Sequence, residues 1–343
     1  MRLSVHLGPW DAGTDHRDQL ALAQEAERLG FDAVWASEAY GSDAVSVLAW
    51  LAARTTRIRL GSAILQMPAR SPAMTAMTAA TLDQLSGGRF VLGLGPSGPQ
   101  VAEGWHGQRF GRQLQRTREY VAVVRMALAR ERVELQGETL TLPLPDGPGR
   151  ALRLTIAPAQ ERVPIYLAGI GPRSVALAGE IADGWIPILV SPEGLADLRG
   201  DLEEGATRAR RSLEGFDVAP WVHARVDDDL ERARDALRAH VALYVGGMGS
   251  RERNFYNDLV RRLGFPDAAR EVQDLYLAGR REEAGAALPG ELIDAVTLCG
   301  PEERVRERLW AFAAAGATSL GVTPVADGLA GRLEQLRALA ALA

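Results

Sequence analysis

Residues 32–95 read DAVWASEAYGSDAVSVLAWLAARTTRIRLGSAILQMPARSPAMTAMTAATLDQLSGGRFVLGLG. Two textures alternate along this stretch. The runs 32–39, 58–66 and 89–98 are short, apolar and bounded by turn residues, the pattern of strands buried on both faces. Between them, 42–55 and 71–86 space their apolar residues as helices do. Ser42 or Asp43 offers the first helix a cap, and Pro72 falls in the first turn of the second. Strands of this kind, each followed by a helix, form a parallel sheet covered on both sides.

Outward from that stretch the rhythm continues. A strand at 3–8 is followed by a helix at 18–30 that ends on Gly30, a helix at 114–130 follows the fourth strand, and further strands are expected at 164–171, 184–190, 218–226 and 318–324. Helices are expected at 172–182, 192–213, 228–243, 300–317 and 327–342. Eight strands with eight helices give an α/β chain of (β/α)8 barrel type, a TIM barrel, as one domain over 1–343. Two stretches break the rhythm. Residues 131–162 are polar and rich in Gly and Pro, an irregular excursion after the fourth unit. Residues 246–292 read as two or three short amphipathic helices, an insertion before the last unit, and their GGMGS start looks hinge-like.

Composition excludes several chemistries. The chain has no lysine, so all 39 basic residues are Arg. Schiff-base catalysis on lysine and a Walker-type phosphate lysine are both excluded. Cys299 is the only cysteine, and no cluster of His, Cys and carboxylates has metal-ligand spacing, so no metal is expected. A net charge of −5 gives no nucleic-acid footprint. No apolar run reaches membrane-spanning length, and a cytoplasmic protein fits.

In a barrel of this type the site lies where the strands end. After the second strand come Ser37, Glu38 and Tyr40; after the third, Ala63 and Ile64; after the fourth, Gly95, Ser97, Gln100, Trp105 and His106. A carboxylate at the mouth end of a buried strand, such as Glu38, must face solvent, a partner or a ligand. His6 and His223 lie in strands and read equally as hydrogen-bonded core residues or as groups of a substrate pocket, to which Trp105 and His106 would add. After the fifth strand comes YLAGIGPRSVALAGEIADGW (166–185). It is not a dinucleotide fingerprint, because Ser174 stands at the third glycine and no ribose-binding acid ends the next strand. The anion chemistry remains. Ala168, Gly169, Ile170 and Gly171 form a loop, Pro172 opens a helix, and Arg173 and Ser174 bring donors.

The stretches 34–52, 60–107, 167–185 and 245–259 resemble the luciferase-like flavin and deazaflavin oxidoreductases, most closely the branch that uses coenzyme F420. The resemblance covers nearly the whole chain. It implies a (β/α)8 barrel, a homodimer, and a cofactor across the barrel mouth. It implies a ring resting on a bulge with a non-prolyl cis peptide at Ala63–Ile64, bordered by Ser37, Glu38 and the Gly95–Gln100 loop. It places the phosphate on Ala168 to Ser174. Glu38 matches an acidic position of that branch, but Ala39 replaces its His, and Ser97, Gly98 and Gln100 stand where relatives carry a Glu. The expected activity is hydride transfer between the deazaflavin and a C=C, C=N or C=O, or an alcohol, with Glu38, Tyr40 or a substrate-bound water handling the proton. The alternatives are an FMN-dependent monooxygenase on the same scaffold and a non-catalytic barrel that stores or senses a flavin or phosphate.

Overall fold

The computed structural model describes residues 1–8, 10 and 12–343. Eight parallel strands form the barrel among these residues: Arg2–His6, Ala33–Ala36, Arg59–Ser62, Phe90–Gly95, Ile165–Leu167, Gly184–Trp185, Trp221–Val226 and Ser319–Pro324. The first pairs with the second and the eighth, and pairing then runs in chain order through the sixth. The seventh begins with a short piece at Asp217–Val218 that pairs with the sixth. Backbone bonds from Ala219 to Trp185 and from Gly321 to Pro220 join this stretch to the sixth and eighth strands and close the ring.

Local chemistry explains the helices. Asp43 caps Ala44–Ala52 by accepting from the Ser46 N–H, which decides between it and Ser42. Ser71 caps Pro72–Ser86. Gly30 ends His16–Leu29 at φ 82°, a left-handed conformation that costs glycine little. Inside the barrel, bulky rings meet glycines. A Cβ on Gly61 would lie 2.1 Å from the Trp35 ring, and one on Gly321 would lie 2.5 Å from the His6 ring.

The two interruptions are present with more order than expected. The 131–162 excursion contains a small antiparallel hairpin, Leu135–Gln136 with Thr141–Leu142. The insertion holds four helices rather than two or three: Phe255–Arg262, Pro266–Leu277, Arg281–Ala286 and Gly290–Val296. They lead into a strand the sequence reading missed, Leu298–Gly300, which pairs with the seventh strand. Of its three residues the sequence places only Gly300 in the following helix, which begins instead at Glu302. The insertion has its own apolar core, built on Leu237, Val245, Val260, Val272 and Leu292 and continuous with Ile188 and Trp221 of the barrel. The first two glycines of its GGMGS start are packed against it rather than open: a Cβ on Gly246 would lie 2.4 Å from Tyr276 Cβ, and one on Gly247 would lie 2.5 Å from the Tyr276 ring.

Candidate active site

The third strand does not run straight to its end. Leu60 pairs with Phe90, but Leu65 pairs with Leu94, so five steps on one strand match four on the other. One residue is therefore extra, and the chain bulges at the barrel mouth. The bulge contains the Ala63–Ile64 peptide, which is cis. Ser62 Oγ pins its base by bonding both the N–H and the C=O of Gly93. Both Ala63 and Ile64 are half-buried.

Gly95 joins this bulge to the glycine loop. A Cβ there would lie 3.0 Å from Ile64 Cδ1 and 3.4 Å from Ala168 Cβ, so Ile64 and Ala168 meet over a bare backbone. The loop Ala168–Gly171 then turns into the helix Pro172–Ile181. Ser174 is spent on this turn: its hydroxyl donates to Gly171 O at 2.7 Å and accepts from Gly171 N–H. A Cβ on Gly169 would lie 2.7 Å from that hydroxyl. The N–H groups of Gly169 and Ile170 donate to no acceptor among the described residues. Arg173, next to them, is exposed.

Glu38 differs most from expectation. Its carboxylate accepts from both terminal nitrogens of Arg70, at 2.5 and 2.8 Å, and from the backbone N–H groups of Gln66 and Ala44, each at 3.1 Å. A carboxylate has about four acceptor sites, and all are used. Ala44 opens a helix, which also favours the anion. Burial opposes the Arg70 charge, but Glu38 outweighs it and raises the guanidinium pKa. Every acceptor site of the Glu38 carboxylate is thus taken, chiefly by Arg70, which lies 32 residues away and is not among the site residues legible in the sequence. The network continues through Gln66, whose amide donates to Glu38 O and whose oxygen faces His106 Nε2 at 2.8 Å. Trp105 beside it is largely exposed, as is Gln100; Ser97 takes a left-handed φ of 58°.

His6 and His223 come together through Trp221. The His6 ring stacks on Trp221 at 4.5 Å and on Trp35 at 5.8 Å. His223 stacks on His240 at 4.6 Å and approaches Tyr244. Tyr244 in turn meets Tyr256 of the insertion. His240, Tyr244 and Tyr256 were not foreseen, since they follow the seventh strand in a helix, an irregular turn and the insertion. Burial, and then the charge of His223, push the His6 pKa well below its usual value. Burial, and then His240, hold His223 at about 3. Burial raises Tyr244, with Tyr256 and Tyr40 adding to the shift, so Tyr40 stands within electrostatic reach of this wall. Tyr40 itself is 59% exposed. Two buried polar atoms here, His6 Nδ1 and Ser37 Oγ, have no hydrogen-bond partner among the described residues. Such atoms call for a ligand or water.

Among the described residues no group of three or more His, Cys, Asp or Glu could hold a metal, and no helix is long and apolar enough to cross a membrane. The arrangement is a glycine-floored mouth bordered by a loop with free N–H groups and by an aromatic wall, which meet where Ile170 packs on the cluster of Trp221 and Tyr244.

Comparison with known proteins places this geometry. The family model described as luciferase-like monooxygenase matches residues 3–319. A Mycobacterium tuberculosis protein, provisionally named as coenzyme F420-dependent oxidoreductase Rv3520c, is 44% identical over 100% of this chain and 99% of its own. The 5,10-methylenetetrahydromethanopterin reductase of Methanolobus tindarius is 30% identical over 89% of this chain and 88% of its own. Among solved structures, the coenzyme F420-dependent tetrahydromethanopterin reductase of Methanopyrus kandleri superposes with a TM-score of 0.85 at 24% identity, covering 99% of this chain and 97% of that one.

Proposed function

The chain belongs to the luciferase-like monooxygenase family, and from that premise we propose that it is an F420-dependent oxidoreductase acting on a small organic molecule. The observation that carries the reading is the continuity of the site. The bulge at Ala63–Ile64 meets Ala168 across Gly95, and the next residues of that loop present free N–H groups. A tricyclic ring on the bulge and a phosphate on the loop need that adjacency. Bound, reduced F420 supplies a hydride from its ring carbon.

The chain's own residues do the rest. Ala63 and Ile64 support the ring, with Gly95 leaving room beneath. Ser37 Oγ and His6 Nδ1 offer the hydrogen bonds that no protein group takes. The N–H groups of Gly169 and Ile170, with Arg173, hold the phosphate, while Gly171 and Pro172 shape the turn that Ser174 fixes. Glu38 and Arg70 lock Gln66, and through it His106, which positions the fourth-strand loop carrying Ser97 and Gln100. Trp221, His223 and Tyr244 form an uncharged wall that excludes water from the transfer. Tyr40, rather than Glu38, is the exposed hydroxyl from which a proton reaches the product. The substrate is a C=C, C=N or C=O compound that enters past Tyr40 and Trp105. Oxidation of an alcohol uses the same site in reverse. A homodimer accords with the family, and Met74, Met77 and Leu85, exposed on the helix Pro72–Ser86, favour it.

The test is turnover. Reduced F420 is mixed anaerobically with the protein and a panel of enones, imines and ketones, and formation of the oxidised chromophore is followed. Acceleration by at least one class is expected. Oxidation no faster than without protein across the panel would favour a store or sensor.

A further inference from the structure

The glycine loop has a second neighbour, which comes from the insertion. Arg262, the last residue of the helix Phe255–Arg262, donates from its guanidinium to Ile170 O at 3.3 Å. On the same side the Ile170 side chain packs against the insertion's apolar core, alongside Tyr256, Leu263 and Phe265. Leu263 also reaches Gly194 at the start of the helix Pro192–Arg208. The insertion thus grips the loop from above by one apolar contact and one polar contact.

Arg70 at the mouth is committed, held by Glu38, whereas Arg173 beside the loop makes no ion pair among the described residues. Arg262 makes no ion pair among the described residues; its one hydrogen bond goes to a loop carbonyl. A guanidinium has five N–H donors, so four remain. The carbonyl it touches belongs to the residue whose own N–H, with that of Gly169, is unpartnered. Free backbone donors and an uncommitted guanidinium therefore converge on one loop from two parts of the chain. A lysine-free chain has only arginine to supply such a charge, and a planar fork suits a phosphate better than a point charge does.

We propose that Arg262 is a phosphate ligand of the bound coenzyme, so that the 246–292 insertion completes the cofactor site rather than only walling it. The proposal rests on the placing of the phosphate at residues 168–174. One guanidinium hydrogen bond to a phosphate contributes roughly ten- to a hundredfold in affinity.

The experiment compares two ligands on the purified full chain. One is F420; the other is the same deazaflavin and ribityl chain without the phosphate. Binding is read by fluorescence or calorimetry, with no turnover needed. The wild type should prefer the phosphorylated form. Arg262→Gln should bind F420 roughly ten- to a hundredfold more weakly, while its affinity for the phosphate-free form stays within about twofold. Arg262→Lys should recover part of the difference. If the wild type prefers the phosphorylated form and Arg262→Gln keeps that preference in full, Arg262 is not a ligand and the proposal fails alone. If the wild type binds both forms equally, the phosphate site itself is wrong. If Arg262→Gln weakens both forms equally, Arg262 is a clamp on the insertion, and the proposal is overturned. Arg262→Met, which keeps the apolar stem and removes the donors, should behave as Arg262→Gln does.

Discussion

Glu38 and Arg70 form a two-pronged ion pair whose carboxylate also takes the N–H groups of Gln66 and Ala44. Glu38→Gln keeps the side-chain shape but loses the charge. The expected result is weaker coenzyme binding by roughly tenfold, as expected for a charged hydrogen bond, with the shape of the pH–rate profile unchanged. Loss of one limb of that profile at unchanged affinity would restore Glu38 as the acid. Arg70→Ala leaves a poorly compensated buried carboxylate and should cost on the order of 3 kcal/mol in denaturant unfolding.

Tyr40→Phe removes the exposed hydroxyl and leaves the ring. Turnover with a ketone or enone should fall by roughly tenfold or more, the scale of a lost proton donor, while coenzyme affinity stays the same. Unchanged steady-state rates would shift the proton role to solvent.

His223 is held neutral, with a pKa at about 3, and burial lowers His6 and His240 in the same direction. The unfolded chain binds these protons near the ordinary value of about 6.5. Below that pH the unfolded state holds more protons than the native one, so stability is present in full above it and is lost as the pH falls. An imidazole that stays neutral in the fold throughout that range, as His223 does, contributes about 1.4 kcal/mol per pH unit. Urea unfolding at pH 7 and pH 5 should show this loss, and His223→Gln should reduce the slope by one residue's share. An equal slope in both proteins would mean that His223 is not buried neutral.

Gly321→Ala would place a Cβ 2.5 Å from a His6 ring that stacks on both Trp35 and Trp221 and is itself buried. A stability loss of roughly 1–3 kcal/mol is expected, as for other overpacked cores, together with weaker coenzyme binding through the displaced Nδ1. Thermal unfolding and titration check both, and a neutral substitution would show the wall to be soft.

How far the sequence carried is seen at these residues. The alternation from 32 to 95 made the barrel legible, because strands buried on both faces have few other homes. Leu298–Gly300 escaped because three residues do not establish a period. The position of Glu38 at a strand end was legible, but its partner was not. Nothing in the local pattern says that Arg70 folds back onto it. The same holds for His240 and Tyr244, which reach the mouth only because the chain after the seventh strand turns inward. Strand ends can be read from local periodicity; the company kept there depends on long-range packing.

Parallel equilibrium titration of the purified protein with oxidised F420 and with FMN tests the choice of coenzyme most directly. F420 should bind with micromolar or tighter affinity, FMN far more weakly, and Gly171→Asp should abolish F420 binding by setting a negative charge against the phosphate. Tight binding of FMN with none of F420 would contradict the account and return the chain to the oxygen-using branch of its family.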